Sequence, residues 1–367
     1  MVTLAQALQQ RAVRRREGEG PEGRQSEGTG GQCADNPVAG GRVLKMYLPR
    51  ARGGGEAAFW EEGWSRQAVA DAVACCALHP LRDRLAALLP REGLILDGGC
   101  GIGAWAIYYS RRGHCWLGVD FATGALTALN GAAPAIAASA GRVDALPLAD
   151  NTVDAYYSGG VIEHFEHGPQ PALAEAYRVL RPGGRFLVVV PDLSPLRQAL
   201  CPGSRRVLAD GARPVVGFRR LPAPAPDDDA ARDWAGRGAL QFFQYLYRPA
   251  ALRPLLEGAG FDVLWDRGVG VQWALMELPA VRRLSARLRG PLLSAPADYY
   301  DRVPMAPWAQ EPLISPRLPA PARRYLRRLL TLEDDRLPLA GPALRVLQTL
   351  ASNIRLYVCR KPDRTRA

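Results

Sequence analysis

The segment from Leu94 to Gly103 constrains the fold of this chain more than any other segment. Its letters, LILDGGCGIG, give three apolar residues, an acid and four glycines within ten positions. This run predicts a buried strand that ends in a tight turn, because glycine turns sharply at little steric cost and leaves room for a ligand against the backbone. We expect a helix from Ala104 to Arg112 to follow, with free N–H groups at its start that meet a nucleotide-like molecule.

Two classes of nucleotide fit this loop. Residues 99–104, GCGIGA, match the dinucleotide fingerprint G-x-G-x-x-G/A. Asp120 closes a second apolar strand, Cys115–Val119, where a carboxylate accepts hydrogen bonds from ribose hydroxyls in either class. Asp97 favours one class, because an acid at the mouth of the loop repels a pyrophosphate and attracts an ammonium or sulfonium group. S-adenosylmethionine carries both cations and no phosphate, so it is favoured over NAD(P).

Three later segments continue the pattern. Residues 141–148, GRVDALPL, predict a third strand whose Asp144 accepts a hydrogen bond from an adenine amino group. Residues 152–158 predict a fourth strand, which GGVIEHF follows at 159–165. The letters LRPGG at 180–184 predict a turn from a helix into the apolar strand Arg185–Val190.

This order of elements resembles the class I S-adenosylmethionine-dependent methyltransferases of the small-molecule (methyltransferase type 11-like) family, related to quinone and sterol methyltransferases. The similarity is close over residues 93–191 and looser over 241–268 and 353–362. It implies an α/β fold, with a Rossmann-like seven-stranded, mainly parallel sheet, an antiparallel last strand, helices on both faces and an inserted, mostly helical cap. It also implies a cofactor site formed by Asp97, Gly99, Cys100, Gly101, Gly103, Asp120, Phe121, Asp144, Ala145, Ser158 and Gly159.

Composition and length divide the chain into parts. Residues 1–45 are rich in Gly, Glu, Arg and Gln and predict a disordered extension, with Met46 as an alternative start of the protein. The predicted methyltransferase domain covers 46–268 and 352–362, with a Pro- and Arg-rich surface loop at 196–240. Residues 269–351 exceed an ordinary connection, so we expect an inserted helical cap or substrate-binding region there.

Several elements within these parts are predicted from periodicity. An amphipathic helical region starts at Phe59 and continues past Cys76 to Leu89, and aromatic residues at this position often cover the cofactor in the related enzymes. A helix is expected over Pro249–Gly260, with a glycine stop. Strands are expected over Phe261–Trp265 and, as the last of the sheet, Ile354–Cys359.

The net charge of +11 does not by itself indicate a nucleic-acid substrate. All but two of the 47 basic residues are arginines, a bias that is typical of a GC-rich genome, and no motif of a nucleic-acid methyltransferase follows the fourth strand. A small-molecule acceptor is therefore favoured over nucleic acid. The seven cysteines and four histidines lack the spacing of a metal site or a disulfide framework, and no apolar run approaches about 18 residues. These features predict free thiols, no metal and a cytoplasmic protein.

The catalytic candidates follow the fourth strand. Glu163 and His164 are expected at the carboxyl edge of the sheet, where ligands bind in open α/β folds. His164 is the better base, since an imidazole titrates near neutral pH; the alternative is that the pair fixes the loop and caps the next helix. The same segment resembles lipid-modifying cyclopropane synthases, in which a Glu and a His help to bind a bicarbonate base. Trp64, Gln244 and Tyr245 are the predicted substrate-binding residues, and Tyr247 is a neighbouring candidate.

The predicted function is methyl transfer from S-adenosylmethionine to a small-molecule or lipid-like acceptor, by O-, N- or C-methylation. The alternatives are an NAD(P)-dependent oxidoreductase and a non-catalytic methyltransferase-like binding protein; the intact acids and glycines of the loop favour turnover. Arginines and leucines alternate over Val281–Arg289 and Ala322–Leu332. Such helices either rest on anionic lipid or an acidic partner, or have a solvated polar face and leucines that cover the core. The second interpretation is favoured, because arginine is the usual basic residue of this chain.

Overall fold

The computed structural model describes residues 43–49, 56–77, 79–200, 240–276, 278, 280, 319–330, 334 and 336–363. A seven-stranded sheet forms the centre of this part of the chain, with strands in the order β4-β3-β2-β5-β6-β9-β8. β9 runs antiparallel to both of its neighbours, and the other described pairs of this sheet are parallel. The strands are β2 (Leu94–Gly98), β3 (Cys115–Asp120), β4 (Ala137–Ala140), β5 (Val153–Gly159), β6 (Leu180–Pro191), β8 (Asp262–Val269) and β9 (Ile354–Arg360).

A second, two-stranded sheet pairs β1 (Val43–Pro49) with β7 (Leu240–Tyr247) in antiparallel register. The described helices are α1 (Glu56–Ser65), α2 (Val69–Cys76), α3 (Arg82–Leu88), α4 (Ala104–Ser110), α5 (Thr123–Ala132), α6 (Gln170–Val179), α7 (Pro195–Leu200), α8 (Pro249–Gly258), α9 (Val271–Met276), α10 (Ala320–Leu330) and α11 (Gly341–Leu350). A short 3-10 turn covers Ile162–His164. α6, α8 and α11 each have a proline in their first turn, where the missing N–H has no intrahelical partner to lose.

The central strands are apolar on both faces. Leu96 and Val188 belong to one buried cluster, and their sequence neighbours Ile95 and Leu187 belong to another on the opposite face. Side chains alternate across a strand, so this double burial requires cover on both sides of the sheet. The predicted fold is confirmed: a mainly parallel, Rossmann-like sheet with an antiparallel last strand and helices.

The strand order also places the site. The chain enters the sheet at β2, passes outward through β3 to β4, and returns to β5 on the other side of β2. The carboxyl ends of β2 and β5 therefore border a topological switch point, which is where ligands bind in open α/β sheets.

The third strand lies earlier than the sequence predicted. β4 occupies Ala137–Ala140, whereas residues 141–148 form turns. Pro147 has no N–H to donate to a ladder, and the Ala145 N–H donates instead to the Arg142 carbonyl at 3.2 Å. The prediction of a strand over 141–148 was therefore wrong, although a strand followed by the acid Asp144 does occur in this region.

Other boundaries also differ from the predictions. Residues 43–45, which the sequence analysis placed in the extension, begin β1. Their hydrogen-bonding partner β7 lies about two hundred positions away in the chain, so the local sequence does not reveal this pairing. The helical region predicted up to Leu89 is three helices, with Pro80 between the second and the third.

The two predicted irregular regions are described only in part. Residues 196–200 of the predicted surface loop belong to α7 and residue 240 begins β7, and the remainder lies outside the described residues. The described parts of the predicted insertion are mainly helical, in α9, α10 and α11, and residues 281–318 lie outside the described part. None of the described helices has the length and apolarity that a bilayer-spanning helix needs.

Candidate functional site

The loop between β2 and α4 has the geometry that its glycines predict. Gly99, Gly101 and Gly103 have φ values of 75°, 52° and 70°, in the left-handed region that favours glycine. The Gly99 N–H donates to the Val119 carbonyl at 2.7 Å, which ties the start of the loop to the end of β3. The backbone therefore turns across the carboxyl ends of β2 and β3.

Asp120 fastens this loop. One of its carboxylate oxygens accepts from the Gly101 N–H at 2.7 Å, and the other accepts from the Ala122 N–H at 2.8 Å. Burial raises the pKa of Asp120, and these backbone hydrogen bonds oppose that shift. A carboxylate has about four lone-pair sites, so Asp120 can hold the loop and also accept a hydrogen bond from a hydroxyl in the pocket.

Asp97 lies deeper than the sequence predicted. We expected its carboxyl at the mouth of the loop, whereas Asp97 is 4% exposed and belongs to a strand in which every residue is buried. Burial, and then the nearby Asp120 carboxylate, raise the pKa of Asp97 to about 8. A cation bound above the loop would lower this pKa again, so the position fits a cationic ligand electrostatically.

A pocket opens over the loop. Its polar end is lined by Gly99, Asp120, Phe121, Gly141, Arg142, Val143 and Asp144, and its aromatic end by Trp60, Trp64, Gly160, Val161, His164 and Phe165. The pocket thus brings together the predicted residues Gly99, Asp120, Phe121, Asp144, Trp64 and His164.

The polar end carries two carboxylates and one guanidinium. The Arg142 Nε donates to the Asp144 carboxylate at 3.0 Å, so the positive charge of Arg142 already has a partner. Asp144 follows β4 by four residues, in the turn. Ala145 lies beside it but is exposed and does not line the pocket. Of these two predicted cofactor residues, Asp144 lines the pocket and Ala145 does not.

The aromatic end is formed by α1 lying across the loop. Trp64 lies so close to Gly101 that a Cβ on that glycine would be 2.4 Å from the indole ring. Trp60, one helical turn earlier, meets the His164 ring edge-on at 4.7 Å between centroids. Glu61 of the same helix accepts from the Gly124 N–H at 3.0 Å, at the start of α5. α1 is thus attached at three points around the pocket.

His164 has a defined tautomer. Its Nδ1 lies 2.6 Å from the Phe243 carbonyl oxygen, which only accepts, so Nδ1 carries the proton and Nε2 keeps its lone pair. Burial lowers the pKa of His164 to about 4, against a smaller opposing effect of that hydrogen bond. The ring is therefore neutral at physiological pH and has one accepting nitrogen at the pocket.

Glu163 lies behind the pocket wall. It is 1% exposed, and burial raises its pKa to about 8. A Cβ on Gly160, which lines the pocket, would be 3.7 Å from the Glu163 Oε1. The other oxygen, Oε2, is buried without a hydrogen-bond partner among the residues the structure describes. Glu163 is therefore a protonated acid adjacent to the pocket, not a charged group within it.

The remaining predicted residues lie outside the pocket lining. Tyr245 is fully buried, and its hydroxyl donates to the Glu166 carbonyl at 2.6 Å; Gln244 is also buried, and neither side chain lines this pocket, where the sequence analysis expected both. β7 reaches the expected edge, but these side chains belong to the core below it. Cys100 and Gly103 belong to the loop and Ser158 and Gly159 end β5, and none of these four lines the pocket.

Sequence reasoning missed part of the aromatic end. Trp60, Val161 and Phe165 line the pocket but were not predicted as site residues. Trp60 carried a usable signal, because it lies four residues before Trp64 and shares its helical face. Phe243, whose carbonyl orients His164, carried none, since a backbone contact over 79 positions leaves no mark in the sequence.

Residues 96–188 match the family model described as "Methyltransferase domain". The chain is 33% identical over 134 residues to malonyl-[acyl-carrier protein] O-methyltransferase of Pectobacterium atrosepticum, covering 34% of this chain and 53% of that protein. It is 34% identical over 155 residues to demethylmenaquinone methyltransferase of Renibacterium salmoninarum, covering 38% and 63% respectively. The chain spans about half the length of the first of these relatives.

Among solved structures, the putative methyltransferase in complex with the Trm112 activator from Haloferax volcanii aligns with a TM-score of 0.43 at 14% identity, covering 83% of this chain and 97% of that one. An S-adenosylmethionine-dependent methyltransferase from Mesorhizobium loti aligns with a TM-score of 0.40 at 17% identity, covering 77% and 97%.

Proposed function

We propose that this chain transfers a methyl group from S-adenosylmethionine to a small-molecule or lipid-like acceptor. The match of residues 96–188 to the methyltransferase-domain model and the strand order of the sheet support this proposal. The observation that carries this proposal is one continuous pocket. The acids of the glycine-loop region lie at its polar end, and a neutral imidazole with a free nitrogen lies at its aromatic end.

The polar end fits the methyl donor chemically. Asp120 would accept from the ribose hydroxyls, Asp144 and the flanking Phe121 would hold the adenine, and Gly99 with the rest of the loop would lie against the amino-acid part. When bound, S-adenosylmethionine supplies an electrophilic methyl group on a good leaving group. The residues of the chain position the acceptor and exclude water.

NAD(P) fits the same loop less well. The Asp120 and Asp144 carboxyl groups line the pocket, and the Arg142 guanidinium is paired with Asp144. A pyrophosphate would therefore bind against negative charge with no unpaired cation in the pocket lining.

At the aromatic end, His164 is suited to accept a proton from the acceptor. Its Nδ1–H bond to the Phe243 carbonyl fixes the ring, so Nε2 is the atom that accepts. A base with a pKa of about 4 is weak, but an oxygen or nitrogen that gains a methyl group becomes strongly acidic as the bond forms. Proton transfer to His164 then accompanies methyl transfer. The rings of Trp60 and Phe165 favour an acceptor with a flat or apolar body.

Calorimetric titration of the full chain with S-adenosylmethionine and with NAD tests the donor. We expect binding of S-adenosylmethionine and no heat from NAD. Tight NAD binding without a response to S-adenosylmethionine would overturn the proposal in favour of an oxidoreductase.

The acceptor is sought by assaying release of S-adenosylhomocysteine across fractions of a cell extract. With an active fraction, His164→Asn should lower kcat by about 100-fold or more while donor affinity stays unchanged. His167→Asn, three residues away at an exposed position, is the matched control. No active fraction, with donor binding intact, would favour a binding protein without turnover.

A further inference from the structure

α11 has an apolar row on its outer side. Leu339, just before the helix, is 98% exposed, Val346 is 60% exposed and Leu350 is 48% exposed. With Pro342, which is also exposed, these residues recur at spacings of three and four, so they follow one face of the helix. We name Leu339, Pro342, Val346 and Leu350 the α11 stripe.

The opposite side of α11 is already occupied. Gly341, Leu344 and Gln348 are buried on that side, and the Gln348 carbonyl oxygen would lie 2.5 Å from a Cβ on Gly268 of β8. A surface helix normally exposes polar residues once its apolar face is buried. The α11 stripe is therefore a second apolar face that packing against the sheet does not explain. Leu339 adds to this, since it has a left-handed φ of 66°, which is costly for leucine, and still projects into solvent.

Basic residues surround the α11 stripe. α10 has the sequence APARRYLRRLL, with four arginines, and neither α10 nor α11 contains an acidic residue. The acids nearby in the sequence are residues 333–335, EDD, between the two helices, and Asp334 among them pairs with Arg328. The Tyr325 hydroxyl donates to the Pro338 carbonyl at 2.8 Å, which holds α10 beside Leu339. Arg324, Arg336 and Arg345 are exposed around this contact. Among the α10 side chains that the structure describes, Leu326 and Leu329 are half-buried and none is fully buried.

Exposed leucines beside a surplus of arginines match one kind of partner. A protein partner would need its own complementary acids in register, whereas an anionic bilayer offers negative headgroups above an apolar layer at every lateral position. The end of α11 leads into Ile354, which pairs with Pro191 at the carboxyl end of β6. The α11 stripe thus runs toward the same edge of the sheet as the pocket.

We propose that the α11 stripe and the arginines beside it dock the protein on the surface of an anionic lipid bilayer. The leucines and valine enter the headgroup layer, and the arginines pair with lipid phosphates. This docking does not depend on the proposed methyl transfer, because it requires neither donor nor acceptor.

Vesicle flotation of the full chain tests the proposal. Vesicles of phosphatidylcholine alone are compared with vesicles that contain about one third phosphatidylglycerol. We expect binding to the anionic vesicles that weakens as NaCl is raised. The double substitution L339S/V346S should reduce the bound fraction at least about tenfold. R324Q/R345Q should remove the preference for phosphatidylglycerol.

Leu264→Ser is the matched control, since Leu264 is an exposed leucine on β8, outside the stripe, and its loss should leave flotation unchanged. All substituted side chains are exposed, so thermal melting should be unaffected. Absence of binding to anionic vesicles, or equal binding by L339S/V346S, would overturn the proposal. So would a loss of dimer in L339S/V346S by light scattering, because a second copy of the chain would then cover the stripe.

Discussion

The two ends of the pocket are held in place by different kinds of contact. At the polar end, the contacts are made by backbone N–H groups of the loop: those of Gly99 and Gly101 bond to the end of β3, and the glycines adopt left-handed φ values. At the aromatic end, side chains meet: Trp60 packs on His164, and Trp64 covers the loop. Backbone contacts tolerate few substitutions, whereas side-chain packing readily changes shape. The two ends should therefore respond differently to substitution.

The strongest test of this difference is a substitution that adds a methyl group to the glycine loop. In Gly101→Ala, the new Cβ would lie 2.4 Å from the Trp64 ring, so either the loop or α1 must move. Gly113→Ala is the matched control, because Gly113 also has a positive φ, 88°, but has open space around it. The left-handed φ should cost each variant about 1 kcal/mol in the free energy of unfolding, and the clash with Trp64 should add to that cost in Gly101→Ala.

Only Gly101→Ala should also lower donor affinity, by about 100-fold, since a misplaced loop loses its contacts. Titration of the two variants with S-adenosylmethionine measures the difference. Equal affinities would mean that Trp64 swings aside freely and that α1 is not fixed over the loop.

Donor binding at the polar end should also depend on pH. The pKa of Asp97 is about 8 without a ligand, so below pH 8 the carboxyl is mostly protonated. A bound cation favours the carboxylate, and binding must then release the proton. Affinity for S-adenosylmethionine should therefore rise with pH up to about 8, by at most about tenfold per unit.

The control ligand is 5′-methylthioadenosine, which lacks both cations and should bind with no such slope. Asp97→Asn should flatten the slope for S-adenosylmethionine. An equal slope for both ligands would show that another group titrates.

The sequence predicted the polar end better than the aromatic end for a physical reason. Strand, turn and helix around Gly99 are local in the chain, so glycine positions and apolar runs encode them directly. The prediction of a strand at 141–148 was wrong because Val143 and Leu146, although buried, lie in a segment of turns and not in a strand of the sheet. Trp60 and Phe243 meet His164 from distant parts of the chain, and only the folded sheet brings them together.

The substitution Glu163→Gln tests whether the buried carboxyl group at the aromatic end lowers the stability of the folded protein. The folded protein keeps this carboxyl protonated up to a pH of about 8, whereas the unfolded chain ionises it near its usual value. Folding is therefore opposed increasingly as pH rises from about 4 to 8, and Glu163→Gln removes that opposition. We expect the variant to melt about 3 °C or more above the parent at pH 8, with a smaller gain at pH 5.

Donor affinity should stay unchanged in Glu163→Gln, because the pocket's polar end does not contact this side chain, while turnover of an active acceptor fraction should fall. Differential scanning calorimetry at the two pH values measures the first effect, and release of S-adenosylhomocysteine measures the second. Glu166→Gln, at an exposed position three residues away, is the matched control and should change neither quantity. A gain in stability with full turnover would mean that Glu163 only shapes the wall behind Gly160. A gain that is independent of pH would contradict its being a buried, protonated acid.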